Sequence, residues 1–86
     1  MSAPTVRVLA FAGARDLIGA PEVELDPTTL PSPTARGVLD AIILRWPALD
    51  PYRASLRVAV NGAYAALDEP VAAGDEVALI PPVAGG

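Results

Sequence analysis

The sequence lacks cysteine and histidine, and its six basic residues are all arginines, so lysine is absent as well. Without cysteine the chain has no disulfide and no thiol nucleophile, and without histidine it has no imidazole for acid-base catalysis. A zinc site built from Cys and His ligands is excluded for the same reason. We therefore expect no metal site, no cofactor bound by this chain, and chemistry that uses the terminal carboxylate or the residues of a partner.

Positive charge and long hydrophobic runs are also scarce. The chain has ten acidic residues against six basic ones, which gives a net charge of -4 at pH 7. Nucleic acids and anionic membranes attract basic surfaces, so we expect neither as a partner. No basic region precedes an apolar stretch at the start, and no apolar run could span a bilayer, which predicts a cytoplasmic location. A length of 86 residues with 52% hydrophobic content predicts a single domain, residues 1–86.

Apolar residues that alternate with polar ones predict several short strands. The predicted strands are residues 6–11, 22–25, 56–60, 63–65 and 76–80. Asn61-Gly62, between the third and fourth of them, is the strongest two-residue hairpin signal. The even-numbered residues of the first strand share one face, and the odd-numbered ones, ending at Phe11, share the other. In the last strand, Val77 and Leu79 are predicted to face the core, whereas Ile80 faces away from it.

One long amphipathic helix is predicted from about Thr34 to Trp46. Ser32 or Thr34 suits its N-cap, and Pro47 ends it. Apolar residues recur at helical spacing on one side, which predicts a core-facing stripe of Val38, Leu39, Ile42, Ile43 and Trp46. A short helical turn closed by glycine is predicted over residues 14–19. Residues 26–33 and the stretch around 51–53 are predicted as loops.

The order of these elements indicates the fold class. Strand, strand, helix, strand, short strand and strand predict a mixed sheet packed on one main helix, which is a two-layer α+β arrangement. The first and last strands are predicted to be central and parallel. This arrangement is typical of the β-grasp (ubiquitin-like) fold, although a fold by itself does not determine a function.

The end of the chain is the first candidate site. It is a tail over residues 81–86, made of Pro81, Pro82, Val83, Ala84, Gly85 and Gly86. Adjacent prolines hold an extended path, so the tail is predicted to project with the Gly86 carboxylate about 15–20 Å beyond the last strand. Glycines without a Cβ fit a narrow channel in a partner, which makes that carboxylate the working group. The alternative is a frayed stub that ends in two glycines by chance.

Phe11, Tyr64 and Ile80 form the second candidate site. Strand parity places Phe11 and Ile80 on the sheet face opposite the helix, and Tyr64 is close enough in the topology to join them. An exposed apolar patch of this kind usually marks a docking surface, so we predict that these residues bind a partner. Scattered apolar side chains are also common on small proteins, and for Tyr64 this simpler explanation has comparable weight.

Three groups of residues carry a resemblance to a known family. They are Phe11-Ala12, Arg15, Leu17 and Gly19 near the start, Val60-Asn61 in the middle, and Gly74-Asp75-Glu76-Val77-Ala78 with the tail from Pro81 to Gly86. Together they resemble the small sulfur-carrier subunit of molybdopterin synthase, the MoaD type of the MoaD/ThiS ubiquitin-like family. The tail is the most specific part, because Pro-Pro-Val-x-Gly-Gly after a Gly-Asp-Glu-Val strand is narrower than Gly-Gly alone.

The resemblance implies a particular role for the tail. In such a carrier the Gly86 carboxylate is adenylated by an E1-like adenylyltransferase of the MoeB type, which uses ATP and magnesium, and is then converted to a thiocarboxylate. Its sulfur goes to cyclic pyranopterin monophosphate in molybdenum cofactor biosynthesis. A MoaE-type large subunit supplies the catalytic residues and forms a heterotetramer with the carrier. The chain itself is then a non-catalytic subunit.

Two other functions are compatible with the same tail. One is a sulfur carrier for thiamine or cysteine biosynthesis, although Phe11-Ala12-x-x-Arg15 and the proline pair argue against it. The other is a ubiquitin-like modifier that forms isopeptide bonds with target proteins. A neighbouring gene would discriminate between the carriers, because a large synthase subunit indicates the first pathway and a thiazole or cysteine synthase indicates the others.

Overall fold

The computed structural model describes residues 4–82, which form a five-stranded sheet with helices packed on one face. The strands are β1 (Val6–Ala10), β2 (Glu22–Leu25), β3 (Arg57–Val60), β4 (Ala63–Tyr64) and β5 (Glu76–Ile80), and the α-helices are α1 (Ala12–Ile18) and α2 (Ala35–Arg45). Two 3-10 segments span Pro27–Thr29 and Pro47–Ser55. Within residues 4–82, no helix combines the length and the apolarity needed to cross a bilayer.

The sheet is mixed, and its strand order is β2-β1-β5-β3-β4. β1 and β5 are parallel neighbours at the centre, whereas the other three pairs are antiparallel. Parallel neighbours need a long crossover connection, and here all the intervening elements supply it. The topology confirms the predicted α+β arrangement, in which the first and last strands are central and parallel.

The face of the sheet that meets the helices is apolar. Val6 and Val8 in β1, and Val77 and Leu79 in β5, have no solvent exposure, as their alternation predicts. The stripe on α2 is buried against them, apart from a partly buried Trp46: Val38, Leu39, Ile42 and Ile43. Burial of each large aliphatic side chain stabilises the fold by about 1.5–3 kcal/mol, so this single interface holds the two layers together.

Local hydrogen bonds determine where α2 begins. The Thr34 hydroxyl accepts a bond from the Gly37 N–H at 3.2 Å, which makes Thr34 the N-cap. The Ser32 hydroxyl lies 2.8 Å from the Thr34 hydroxyl and supports the cap. A cap of this kind stabilises a helix by about 1 kcal/mol. Of the two capping residues that the sequence suggested, Thr34 performs the capping and Ser32 positions it.

The structure differs from the sequence predictions at three short elements. The first helix begins at Ala12, two residues before the predicted turn, with Phe11 as its N-cap. A 3-10 segment, Pro47–Ser55, replaces the loop predicted around residues 51–53. Prolines preset the φ of a helical turn, and Leu49, only 1% exposed, ties this segment to the core. The shorter segment Pro27–Thr29 lies inside the predicted loop and is capped by Asp26.

Candidate functional site

The sheet face turned away from the helices carries an apolar row that crosses four strands. In register, Leu9 lies opposite Ala78, Ala78 opposite Ala59, and Ala59 opposite Tyr64. Residues opposite one another in neighbouring strands point to the same side of a sheet, so these side chains share one surface. Tyr64 is 70% exposed at the edge of this row. We call this surface, together with Phe11 and Ile80, the outer face.

Phe11 and Ile80 extend the outer face toward the point where the tail leaves the sheet. Phe11 follows β1 with an extended backbone, and its N–H donates to the Leu79 carbonyl at 3.3 Å. It therefore continues the alternation of β1, and its side chain is 48% exposed. Ile80, half-buried, lies opposite Arg57 at the end of β5. The structure thus places all three predicted docking residues, Phe11, Tyr64 and Ile80, on the side of the sheet that is turned away from the helices. Their role in binding stays a prediction.

Charged side chains border the outer face on two sides. At one end Arg7 forms ion pairs with Glu76 and, at 3.8 Å, with Glu22, both on neighbouring strands. At the other end the Arg57 guanidinium carbon lies 6.0 Å from the centre of the Tyr64 ring. Exposed ion pairs contribute at most about 1 kcal/mol to stability. Their main effect here is to give an apolar surface a polar rim, which is the anatomy of a protein interface.

A hydrogen-bonded turn orients the start of β5. Asn61, with a φ of 51°, forms the hairpin turn with Gly62, which confirms the predicted turn. The Asn61 side chain donates to Asp75 at 3.1 Å and accepts from the Glu76 N–H at 3.0 Å. The Ala72 N–H, at 2.9 Å, and then the Asn61 amide lower the pKa of the Asp75 carboxyl. The sequence indicated the turn but not this link, which attaches β3 to the strand that leads into the tail.

The tail leaves the sheet beside an apolar groove. Pro81 is half-buried and Pro82 exposed directly after β5. Both line a cavity of about 500 Å³, the exit groove, whose other walls include Leu17 from α1 and Tyr52 from the 3-10 segment. These two side chains are 39% and 52% exposed. Sequence reasoning did not assign either side chain to a site. Leu17 entered only as part of the family resemblance, and the 3-10 segment that carries Tyr52 was not predicted. Val83, Ala84, Gly85 and Gly86 lie outside the described residues.

The electrostatics of the described residues do not indicate an acid-base site. Within residues 4–82, no group of three or more Asp or Glu side chains is placed to hold a metal ion. The pKa of Asp26 is lowered by the Thr28 hydroxyl and N–H, so its carboxyl, like that of Asp75, is an anion at neutral pH. A general acid near pH 7 needs a raised carboxyl pKa. Neither of these two carboxyl groups is therefore suited to act as a general acid.

Comparison with known sequences finds one family over most of the chain. The profile of the ThiS family matches residues 8–86. A protein of Arabidopsis thaliana named molybdopterin synthase sulfur carrier subunit is 37% identical over 86 residues, covering 99% of this chain and 86% of that protein. An Escherichia coli (strain K12) protein of the same name is 41% identical over 83 residues, covering 94% of this chain and 99% of that protein.

Comparison with solved structures supports the same fold. The crystal structure of SAMP1 from Haloferax volcanii has a TM-score of 0.80 and 35% sequence identity, and the match covers 95% of this chain and 99% of that chain. This likeness, over nearly the whole of both chains, identifies the mixed sheet and its helices as a ubiquitin-like β-grasp fold.

Proposed function

The chain belongs to the ThiS family, and from this premise we propose that it is the sulfur-carrier subunit of a molybdopterin synthase. The observation that carries the proposal is the continuity between the outer face and the start of the tail at Ile80-Pro81. The chain is also 37% and 41% identical to two proteins named molybdopterin synthase sulfur carrier subunit. A carrier has to bind its partner and deliver its own chain end to the partner's site. In this proposal the outer face binds the partner, and the tail delivers the chain end to the partner's site.

The proposed working group is the Gly86 carboxylate, because the sequence has no cysteine, histidine or lysine side chain that could carry the chemistry. A carboxylate is a poor electrophile until an oxygen becomes part of a good leaving group. An E1-like enzyme of the MoeB type, using ATP and magnesium, forms the acyl-adenylate and releases pyrophosphate. Hydrosulfide, or a donor that delivers sulfur at the sulfide level, then displaces AMP, and loss of a proton leaves a thiocarboxylate. Its anionic sulfur is nucleophilic near neutral pH, as a thiolate is, and forms a bond to a carbon of cyclic pyranopterin monophosphate. Water then cleaves the acyl–sulfur bond, which leaves the sulfur on the pterin and restores the Gly86 carboxylate.

Each part of the chain has a physical reason in this scheme. Gly85 and Gly86 present no Cβ to a narrow channel, and Pro81-Pro82 limit the conformations of the tail before it enters. The absence of lysine means that the activated carboxylate meets no side-chain amine of its own chain. Phe11, Tyr64 and Ile80 dock against a MoaE-type large subunit, which supplies the acid-base groups and with which the carrier forms a heterotetramer.

Loading of the tail is tested by mass spectrometry. After incubation with the activating enzyme, ATP and a sulfur donor, the intact chain should gain about 16 Da at its C-terminus, because sulfur replaces one oxygen. A variant without Gly86 should gain nothing. A variant with Gly85→Val should fold normally but fail to transfer sulfur, because the added branches obstruct the channel. An unchanged mass gain in the truncated chain would refute the carrier function.

Docking is tested by placing a charge on the outer face. Phe11→Glu and Ile80→Glu should each weaken binding to the large subunit by about 100-fold or more, since an unpaired charge in a desolvated contact costs several kcal/mol. Leu44→Glu is the matched control, because Leu44 lies on α2 and is 82% exposed. Circular dichroism should stay native in all three variants. If Phe11→Glu or Ile80→Glu unfolds instead, its side chain belongs to the core and not to a docking surface.

A second candidate function is that of a protein modifier. It is favoured by the likeness to SAMP1, whose full name is small archaeal modifier protein 1. A modifier would join Gly86 to lysine amines of other proteins through isopeptide bonds. Digests of cell extract should then contain target lysines that carry the C-terminal residues of this chain. Their absence from extracts in which the thiocarboxylate is detected would leave sulfur carriage as the function.

A further inference from the structure

A basic groove borders the outer face, which is unexpected in a chain with a net charge of -4. The groove has a volume of about 430 Å³, and three of the six arginines line it: Arg36, Arg53 and Arg57. They come from the first turn of α2, from the 3-10 segment and from the start of β3. Half of the positive charge of the chain is therefore gathered at one place by elements that are distant in sequence.

Two of these three arginines have no ionic partner in the described structure. Arg53 is neutralised, because its guanidinium lies 2.7 Å from the Asp40 carboxylate and 3.9 Å from that of Asp50. Among residues 4–82, no carboxylate lies within 4.0 Å of Arg36 or Arg57. Arg57 instead lies over the Tyr64 ring. The groove thus keeps two cations, both on exposed residues, that have no carboxylate within ion-pair distance in the described part of the chain.

The position of Arg36 is unfavourable for the helix that carries it. The first turn of α2 contains Arg36 and no acidic residue. The positive end of the helix dipole lies there, so a cation in this turn reduces helix stability. The Arg36 backbone N–H already donates a hydrogen bond to the Leu67 carbonyl at 2.9 Å. An anion in the groove would therefore interact with the Arg36 guanidinium and not with this backbone N–H. The helix dipole therefore gives no stabilisation to this charge, and a role in binding would account for its position.

Beneath the arginines the groove is apolar. Leu56 and Val58 are 9% and 3% exposed, and Leu67 packs against the same core. A cationic rim over an apolar floor is complementary to a peptide segment that carries both carboxylates and aliphatic side chains. A small inorganic anion would leave that floor without a contact. The chemistry of the groove therefore favours an acidic protein segment.

The groove is continuous with the outer face. Tyr64 lines the groove and is also the edge residue of the outer face, and Arg57 lies opposite Ile80 in the sheet register. A partner that covers Tyr64 and Ile80 is thus brought against Arg57 and Arg36. We propose that the basic groove binds an acidic segment of the large subunit that docks on the outer face. This inference rests on the proposed function, and it makes the groove an electrostatic extension of that interface.

Charge reversal at Arg36 tests the proposal. Arg36→Glu should lower the association rate and the affinity for the large subunit by about 10-fold at low ionic strength, and the difference should shrink as salt screens the charges. The matched control is Arg45→Glu, which makes the same change of charge at the other end of α2, where Arg45 lies over Trp46. Arg45→Glu should stay within about twofold of the unmodified chain. Since Glu suits the first turn of a helix, a loss in Arg36→Glu is not an effect of unfolding.

The possible outcomes separate this inference from the proposed function. A large-subunit substitution of Glu or Asp by Arg that restores the binding of Arg36→Glu would support the groove and identify the segment. If the unmodified chain binds but Arg36→Glu and Arg45→Glu behave alike, the groove proposal is wrong and the carrier function stands. If the unmodified chain does not bind the large subunit at all, both are wrong. Saturable binding of inorganic phosphate that Arg36→Glu abolishes, with unchanged large-subunit affinity, would assign the groove to a small anion and overturn the proposal.

Discussion

Gly37→Ala tests the tightest packing that the structure contains at a glycine. Gly37 lies in the first turn of α2, against the backbone of Ser32. A Cβ at this position would overlap the Ser32 carbonyl oxygen and lie 2.8 Å and 2.9 Å from its carbonyl carbon and amide nitrogen. A side chain could rotate away from such a contact, but a backbone segment cannot. Either α2 or the chain that enters it has to move.

The expected loss of stability follows from what that movement disturbs. Overpacking strain costs about 1–3 kcal/mol, and displacement of the Thr34 cap, which bonds to the Gly37 N–H, costs about 1 kcal/mol more. Against this, alanine is better than glycine in a helix by about 0.5–1 kcal/mol. The net expectation is a destabilisation of about 2 kcal/mol. For a domain of this size that corresponds to a melting temperature lower by about 8–16 °C.

Thermal and urea unfolding followed by circular dichroism measure the effect, with Gly13→Ala as the control. Gly13 lies in α1, and a Cβ there would meet no atom within 4 Å. The control carries the same helix-propensity gain without the clash, so its stability should be unchanged or higher by up to about 1 kcal/mol. Equal melting temperatures for the two variants would show that Gly37 is not in close contact with the Ser32 backbone.

Two further predictions concern β5 and the turn that precedes it. The pKa of Asp75 lies below its ordinary value of 3.8, because the Ala72 N–H, and then the Asn61 amide, bond to the carboxylate. The ionised carboxylate therefore stabilises the fold above pH 3.8. This stabilisation is lost as the pH falls through the pKa of Asp75 in the folded protein. Asp75→Asn should therefore melt lower than the unmodified chain at pH 7 and by a smaller margin at about pH 2.5, and an equal margin at both pH values would contradict this. Leu79→Ala should cost about 2–5 kcal/mol, since Leu79 is fully buried, and Ile80→Ala clearly less, since Ile80 is half-buried on the outer face. Equal losses in urea unfolding would show that the assignment of faces in β5 is wrong.

Several predictions from the sequence have no counterpart in the described structure and stay predictions. They are the single domain over residues 1–86, the chemistry of Gly86, the use of ATP and magnesium by an activating enzyme, and the cytoplasmic location. The tail beyond Pro82 lies outside the described residues. The loading and docking experiments address the chemistry and the partner directly.

Periodic patterns in the sequence were sufficient to predict the main elements of the fold. Alternation in β1 and β5 predicted which side chains are buried, because the period of a strand leaves only two faces to choose between. The apolar stripe and the flanking Thr34 and Pro47 predicted the limits of α2 to within one residue. The 3-10 segment Pro47–Ser55 was not predicted, because burial of Leu49 in the core stabilises it and no local sequence pattern indicates that burial. Short elements of this kind are stabilised by contacts and not by propensity.

The sequence by itself determined the chemical limits of the protein and the order of its elements. It has no thiol, imidazole or amine side chain, and a terminal glycine pair follows two prolines. Tertiary structure alone decided which residues lie side by side. Arg36, Arg53 and Arg57 surround one groove, and Asn61 bonds to Asp75, because the strand order places β3 next to β5 and packs α2 beside them. A local sequence pattern reflects the periodicity of a single helix or strand. Contacts between residues that are distant in sequence depend on how separate elements pack against one another, and only the folded chain shows that packing.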